Sequence, residues 1–248
     1  MMLIKIGDAR RSTGSSTDKH RAFRAHDRPF ASFCALRHTR AKQDDQLSAP
    51  HAADRPLADG VVSDLPASEQ LVLVDEDDRP TAIAGKDDCH RGQGRLHRAF
   101  SLLVFDERGR LLLQQRASTK PLWPGFWSNS CCSHPGPGET PEIAARRRAR
   151  QELGIEVQPR FLYRFRYRAR YLDVGAEHEL CSVLVAHTDD RIRANPAEVA
   201  DWRYLTPAEV TEELARHPER YTPWFHLEWG HVGSHFPDLL HPPLAAIA

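Results

Sequence analysis

Trp123-Pro124-Gly125-Phe126-Trp127-Ser128-Asn129-Ser130-Cys131-Cys132-Ser133-His134-Pro135-Gly136-Pro137-Gly138-Glu139 is the stretch on which the reading of this chain turns. Its prolines and glycines exclude a regular helix or a central strand. Two tryptophans, two cysteines and a histidine are poor choices for an ordinary solvated loop, so the segment reads as a loop pinned against the body of the protein. If Cys132 to His134 is locally extended, the thiol and the imidazole project from one side, because alternate residues share a face. The plainer alternative is a loop anchored by its aromatics, with an incidental histidine.

Working outward, 248 residues with 40% hydrophobic and 27% charged side chains suit one globular domain plus extra segments. Lys and Arg balance Asp and Glu at 34 each, so no global field draws the chain to nucleic acid or an anionic membrane. No apolar run approaches the roughly twenty residues of a membrane helix, and Met1 to Ile6 is too short for a secretory signal. Cys34, Cys89, Cys131, Cys132 and Cys181 are an odd set without zinc-ribbon spacing, which points to reduced thiols and a cytoplasmic location.

Residues 1–68 show no sustained hydrophobic period and are expected to form a disordered extension. Order is expected over 69–229, starting with a β run at Leu71 to Val74 and a turn at Asp75 to Asp78. Leu96 to Phe105 reads as a buried strand, and Asp106 to Gly109 as a hairpin turn into Leu111 to Arg116. After the decisive loop, Thr140 caps a helix with Pro141 at its first position, and Gly154 closes it. On that helix Glu152 shares a face with Ala145, Arg148 and Ala149. It is either a buried functional acid or half of a surface pair with Arg148. Phe161 to Ala169, Glu179 to His187 and Asp201 to Leu205 read as strands, and Thr206 with Glu209 forms a capping box for a helix to about Arg216. The His- and Pro-rich tail, 230–248, is assigned no structure. Strands and helices mix without a βαβ repeat, so the class is α+β.

Glu177 and Glu179 lie two apart on a strand, so their carboxylates share a face while His178 points the other way. Two such acids repel unless a cation or proton separates them. With His90, His97 and His134 they would form a five-ligand N/O site suited to Mn, Zn or Fe(II). Each histidine taken alone is more often a surface or capping residue than a ligand.

Arg-Leu-His-Arg-Ala-Phe (95–100), the Trp-Pro-Gly-Phe-Trp-Ser-Asn-Ser-Cys-Cys-Ser-His-Pro run (123–135), Gln-Glu-Leu-Gly (151–154), Phe-Arg-Tyr-Arg-Ala (165–169), Glu-His-Glu (177–179) and Thr-Pro-Trp-Phe (222–225) together resemble type 1 isopentenyl-diphosphate isomerases. The resemblance spans about Leu71 to Trp229. It implies a Nudix-type mixed β-sheet sandwiched by helices, and interconversion of isopentenyl and dimethylallyl diphosphate in isoprenoid biosynthesis. It further implies that His90, His97, His134, Glu177 and Glu179 hold a Mn²⁺- or Zn²⁺-type ion, and that Glu152 holds Mg²⁺ with the substrate diphosphate. Lys86, Arg116 and Lys120 match diphosphate contacts. Cys132 and Glu179 match the acid/base pair, with Tyr167 nearby and Trp224 over the alkene. No flavin, nucleic acid or membrane is implied, and a monomer or weak dimer is expected. The chemistry agrees: protonating an unactivated alkene creates a tertiary cation, which a Trp face stabilises by up to about 2 kcal/mol when desolvated. Water must be kept out, and the tryptophans of the loop are expected to help close the pocket. A Nudix diphosphate hydrolase is the alternative, but Arg147-Arg148-Ala149-Arg150-Gln151-Glu152 leaves one acid where a hydrolase helix carries several. A catalytically silent metal-binding module is a third reading, opposed by the matches at Cys132, Glu179, Tyr167 and Trp224.

Overall fold

The structure, a computed structural model, describes Leu65, Pro66 and residues 69–240. Apart from Leu65 and Pro66, the expected extension over 1–68 lies outside the described residues, as does the tail beyond Leu240.

Strand β3 (His97–Phe105) is the axis of the sheet. All its residues but Arg98 are buried, and from Ala99 on they are apolar except for Ser101, as a strand covered on both faces requires. Along one edge it pairs in parallel with β8 (Gly175–His187) over its whole length, from His97 opposite Glu179 to Phe105 opposite His187. A strand has only two edges, so the other is shared in turn. It takes β1 (Gln70–Val74) at His97, β6 (Cys131–Ser133) at Phe100 to Leu102, and β4 (Leu111–Arg116) at Phe105. The outer strands are β2 (Pro80–Gly85) on β1, β5 (Trp127–Ser128) and β9 (Val199–Leu205) on β4, and β7 (Arg160–Tyr171) on β8.

Alternation along β3 divides the core. Phe100, Leu102 and Val104 face one layer with Cys131, and α2 (Pro141–Leu153) covers it through Ala144, Ala145, Ala149 and Leu153. Ala99, Leu103 and Phe105 face the other, covered by α3 (Pro207–Arg216) through Val210 and Leu214 and by α4 (Pro223–His235) through Trp224, Phe225, Trp229 and Val232. The result is the expected α+β sandwich, a mixed sheet between helices.

Local signals behave as read. The Thr140 side chain caps α2 by accepting from Ile143 N, and Gly154 ends it in the left-handed region at φ 68°. The Thr206–Glu209 capping box opens α3. Helix α4 was not read in the sequence, and neither were three short elements: β2, the five-residue α1 (Lys86–His90) and the two-residue β5. Each of these three is too short to show a period of its own.

The C-terminal boundary needs correction. Helix α4 runs through Gly230 to His235, so the segment from Gly230 is not structureless where it is described. Val232 is fully buried, and Phe236 packs parallel to Tyr163 with ring centroids 5.7 Å apart. The two glycines and two histidines between 230 and 235 lower helix propensity, and tertiary packing of Val232 overrides it. Ending the chain at Trp229 is therefore expected to lower stability by about 2 kcal/mol or more, through loss of the Val232 and Phe236 contacts. Equilibrium denaturation of the truncated and full-length proteins measures it; an unchanged midpoint would restore the boundary at 229.

Candidate active site

The register of β3 against β8 sets His97 directly opposite Glu179, on the α4 face of the sheet. Glu177 precedes it by one pleat on the same face, while His178 turns away, within 3.4 Å of the Gly94 carbonyl. His134 follows β6 out of the decisive loop, and His90 ends α1. Gly175 makes room for that end: a Cβ there would lie 2.5 Å from the His90 carbonyl oxygen. One ligand atom from each of His90, His97, His134, Glu177 and Glu179 falls within 4.8 Å of all the others.

The histidines are already oriented from behind. His90 Nδ1 lies 2.7 Å from the Lys86 carbonyl and His97 Nδ1 2.7 Å from that of Arg95, which makes each Nδ1 the proton-bearing nitrogen and turns Nε2 to the cluster. His90 Nε2, His97 Nε2 and Glu177 Oε2 are buried without a hydrogen-bond partner, although His90 Nε2 and Glu177 Oε2 approach to 2.8 Å. Burial lowers the basicity of His97 to about 4 and that of His134 well below the usual range, so both are neutral donors. The carboxyls are driven apart. Burial and the Glu177 charge raise Glu179 well above the carboxylate range, whereas His90 holds Glu177 at about 2 against its burial. Converging imidazole nitrogens and acidic oxygens with unfilled bonding capacity fit a divalent ion of the borderline type.

Beside this cluster the adjacent cysteines separate as extended geometry requires. Cys131 is buried in the α2 layer, and Cys132 opens into a cleft of about 300 Å³. The Cys132 thiol donates to Asn129 Oδ1 at 2.7 Å and lies 3.3 Å from Ser101 Oγ. Burial, with the Glu228 and Glu179 carboxyls adding to it, raises its pKa, so it rests as the thiol. Glu179 lines the same cleft, and Tyr167, its cross-strand partner, donates its hydroxyl to Glu179 Oε2 at 2.8 Å.

Trp224 forms another wall. Its indole N–H donates to Ser128 Oγ at 3.0 Å, its ring meets Trp123 edge-on at 5.2 Å, and the Arg116 guanidinium lies 5.4 Å from its centroid. Trp123 and Trp127 do not line the cleft, contrary to the expectation that they close it. Trp123 is fully buried at φ 47°, a conformation costly for a bulky residue. Its contacts with Tyr171 and Trp224 hold it there, so it acts as a buttress behind Trp224.

Lys86, Arg116 and Lys120 line the mouth together with Arg91 and Arg148. Arg116 is braced by the Leu122 and Trp123 carbonyls at 2.8 and 3.1 Å, and Lys120 is paired with Glu198. This concentration of cations in a chain of zero net charge makes that part of the cleft locally positive. Glu152 does not line the cleft: it is 2% exposed, behind Arg148, which donates to Glu152 Oε1 at 2.5 Å and to Glu198 Oε1 at 3.0 Å. Glu152 is thus buried, as the first reading had it, and paired with Arg148, but the pair does not lie on the surface as the second had it. Sequence reasoning missed Ser101, Asn129, Arg148 and Glu228. Asn129 stands inside the quoted loop and was legible there as a polar residue among buried ones; the other three carried no local signal.

The Nudix domain family matches residues 95–225 of the chain. Isopentenyl-diphosphate Delta-isomerase 1 of Photorhabdus laumondii is 45% identical over 174 residues, which is 69% of this chain and 99% of that protein. The isopentenyl-diphosphate Delta-isomerase of Nocardia farcinica is 47% identical over 61% of this chain and 87% of its own length. That of Burkholderia multivorans is 45% identical over 64% of this chain and 89% of its own length. Relatives matched over nearly their whole length, with a Nudix match across the sheet and α2, place this chain in the isopentenyl-diphosphate Delta-isomerase family of the Nudix superfamily.

Proposed function

We propose that this protein interconverts isopentenyl and dimethylallyl diphosphate by proton transfer at Cys132 and Glu179. The observation that carries the reading is the cleft itself. A half-buried thiol and a buried carboxyl line it together with Trp224 and a group of lysines and arginines.

Lys86, Arg116, Lys120 and Arg148 bind the diphosphate, and the braced guanidinium of Arg116 gives it an oriented partner. Binding draws the isoprenyl end down between Cys132 Sγ and Glu179. One of these groups adds a proton to the terminal alkene carbon, and the other removes one from the carbon two bonds away, across the tertiary centre. Tyr167 holds Glu179 in place through its hydroxyl. The Trp224 ring stabilises the intermediate cation, worth up to about 2 kcal/mol in a dry site. The aromatic wall behind it excludes the water that would trap the cation as an alcohol.

His90, His97, His134, Glu177 and Glu179 would hold a Mn²⁺- or Zn²⁺-type ion, whose charge would offset the repulsion between the two carboxylates. Glu152 would hold Mg²⁺ together with the substrate diphosphate, and Arg148 beside it would contribute to the cationic lining for the phosphates. Diphosphate hydrolysis is not favoured, because the 147–152 stretch of α2 offers Glu152 alone where activation of water needs several acids. Cys89, Cys131, Cys132 and Cys181 are free, which supports a reducing, cytoplasmic setting. Among the described residues no helix is long and apolar enough to cross a membrane.

The two ions are expected to separate by mutation. His97→Ala should strip the transition metal from the purified protein, read by elemental analysis, while His178→Ala should keep it. Glu152→Gln should keep that metal but raise the Mg²⁺ concentration for half-maximal activity by about tenfold or more. Equal metal loss in His97→Ala and His178→Ala, or an unaltered Mg²⁺ requirement, contradicts the assignment.

The cysteines provide the sharper test. Cys132→Ala should abolish formation of the allylic product while leaving the fold and the metal content intact. Cys131→Ala should cost about 1 kcal/mol of stability and keep most of the activity. Turnover by Cys132→Ala at the wild-type rate rules out the thiol as an acid–base group.

A further inference from the structure

Linked to Cys132 through Ser101 lies a carboxyl that the reaction as derived does not use. Glu228 sits on α4, one turn after Trp224, and is completely buried. Its Oε1 accepts a short hydrogen bond from the Ser101 hydroxyl, and Ser101 Oγ in turn lies 3.3 Å from Cys132 Sγ. Its Oε2 is buried with no hydrogen-bond partner. Among the described residues no basic side chain is paired with it, unlike Glu152, which Arg148 neutralises.

A carboxyl kept only for packing would be replaced at little cost by an apolar side chain, because burying an unsatisfied polar oxygen is unfavourable. Its one connection runs through Ser101 to the reacting thiol. Burial pushes Glu228 up to about 8, with the Ser101 hydrogen bond opposing, so near neutral pH the group carries a proton.

We propose that Glu228 is a reserve proton donor for Cys132, acting through the Ser101 hydroxyl. In the direction of reaction in which Cys132 gives its proton to the alkene, the Sγ–H bond breaks and a thiolate is left. The Ser101 hydroxyl then passes its proton to Sγ and takes one from the Glu228 carboxyl. The S–H bond is restored, the Ser101 O–H is conserved, the Glu228 O–H is lost, and no electron changes hands. Glu228 regains its proton from solvent during product exchange, when the cleft is open. Glu228 touches neither substrate nor reacting carbon, and is in that sense a positioning residue whose effect reaches the thiol through one intermediary.

This inference rests on the reading of Cys132 as an acid–base group, and the test separates the two. Glu228→Gln keeps the shape and removes the acidic proton; Ser101→Ala removes the intermediary. Both, with their double variant and Cys132→Ala, are followed by rapid quench on the metal-loaded enzyme in both directions of isomerisation. In the direction that uses the thiol as donor, Glu228→Gln should complete its first turnover at the wild-type rate and then fall to a steady state slower by about tenfold or more. KM and metal content should be unchanged. Ser101→Ala should show the same burst, and the double variant should be no slower than either single one, because the two act as one unit. Glu228→Asp should recover part of the steady-state rate. A Glu228→Gln steady state within twofold of wild type in both directions overturns the proposal. So does a first turnover as slow as the later ones, which marks a structural role. Full activity of Cys132→Ala would instead overturn the reading beneath it.

Discussion

The parallel pairing of β3 with β8 is the constraint on which the rest of the molecule depends. It alone carries His97 next to Glu179, and with the antiparallel pairing of β6 on the other edge it carries Ser101 next to Cys132. A slip of one residue in either pairing would send every one of these side chains to the α2 face, since alternate residues face opposite layers. The two apolar layers prevent that slip. Leu102 and Val104 fill the α2 side while Leu103 and Phe105 fill the α4 side, and a shift would carry His97 and Glu179 to the face where Val72, Val74 and Leu180 pack. Core packing therefore fixes the chemistry.

From that register follows an electrostatic division of the cleft. Glu177, Glu179, His90 and His134 line one part of it with His97 behind them, and His97 and His134 are kept neutral by burial. The mouth holds lysines and arginines. A diphosphate ester has the same polarity along its length, an anionic head and an apolar alkene tail, so only one orientation satisfies both ends. Between them stands the thiol, protonated because it is buried. Trp224 is held by its N–H bond to Ser128 and by the edge of Trp123. A rigid aromatic face is what a short-lived cation requires, since stabilisation must be in place before charge develops.

Much of this was legible before any coordinates. The long apolar run of β3, the tight turn into β4 and the paired start and stop signals of α2 each carry a local physical cause, so they survive in the folded protein. The i, i+2 spacing of Glu177 and Glu179 placed both carboxyls correctly, and the same alternation separated Cys131 from Cys132. Convergence of the three histidines was not legible from spacing, because His90, His97 and His134 sit on different elements and meet only through long-range strand pairing. Trp123 was misread as a pocket wall: nothing in a Trp-Pro-Gly sequence announces a positive φ that turns the indole into the core. The helix through Gly230 was lost because glycine and histidine mask a period that Val232 completes by packing. Glu228 looks like any surface helix acid until α4 is laid on the sheet over Ser101.

The central claim is that the paired thiol and carboxyl move protons on carbon while the diphosphate stays whole. It is tested most directly by incubating the metal-loaded protein with isopentenyl diphosphate in D₂O and following carbon-bound protons by NMR alongside inorganic phosphate. The account predicts dimethylallyl diphosphate carrying solvent deuterium in its newly formed methyl group, with no phosphate released. Release of inorganic phosphate, or recovery of the substrate unlabelled and unisomerised, would contradict it.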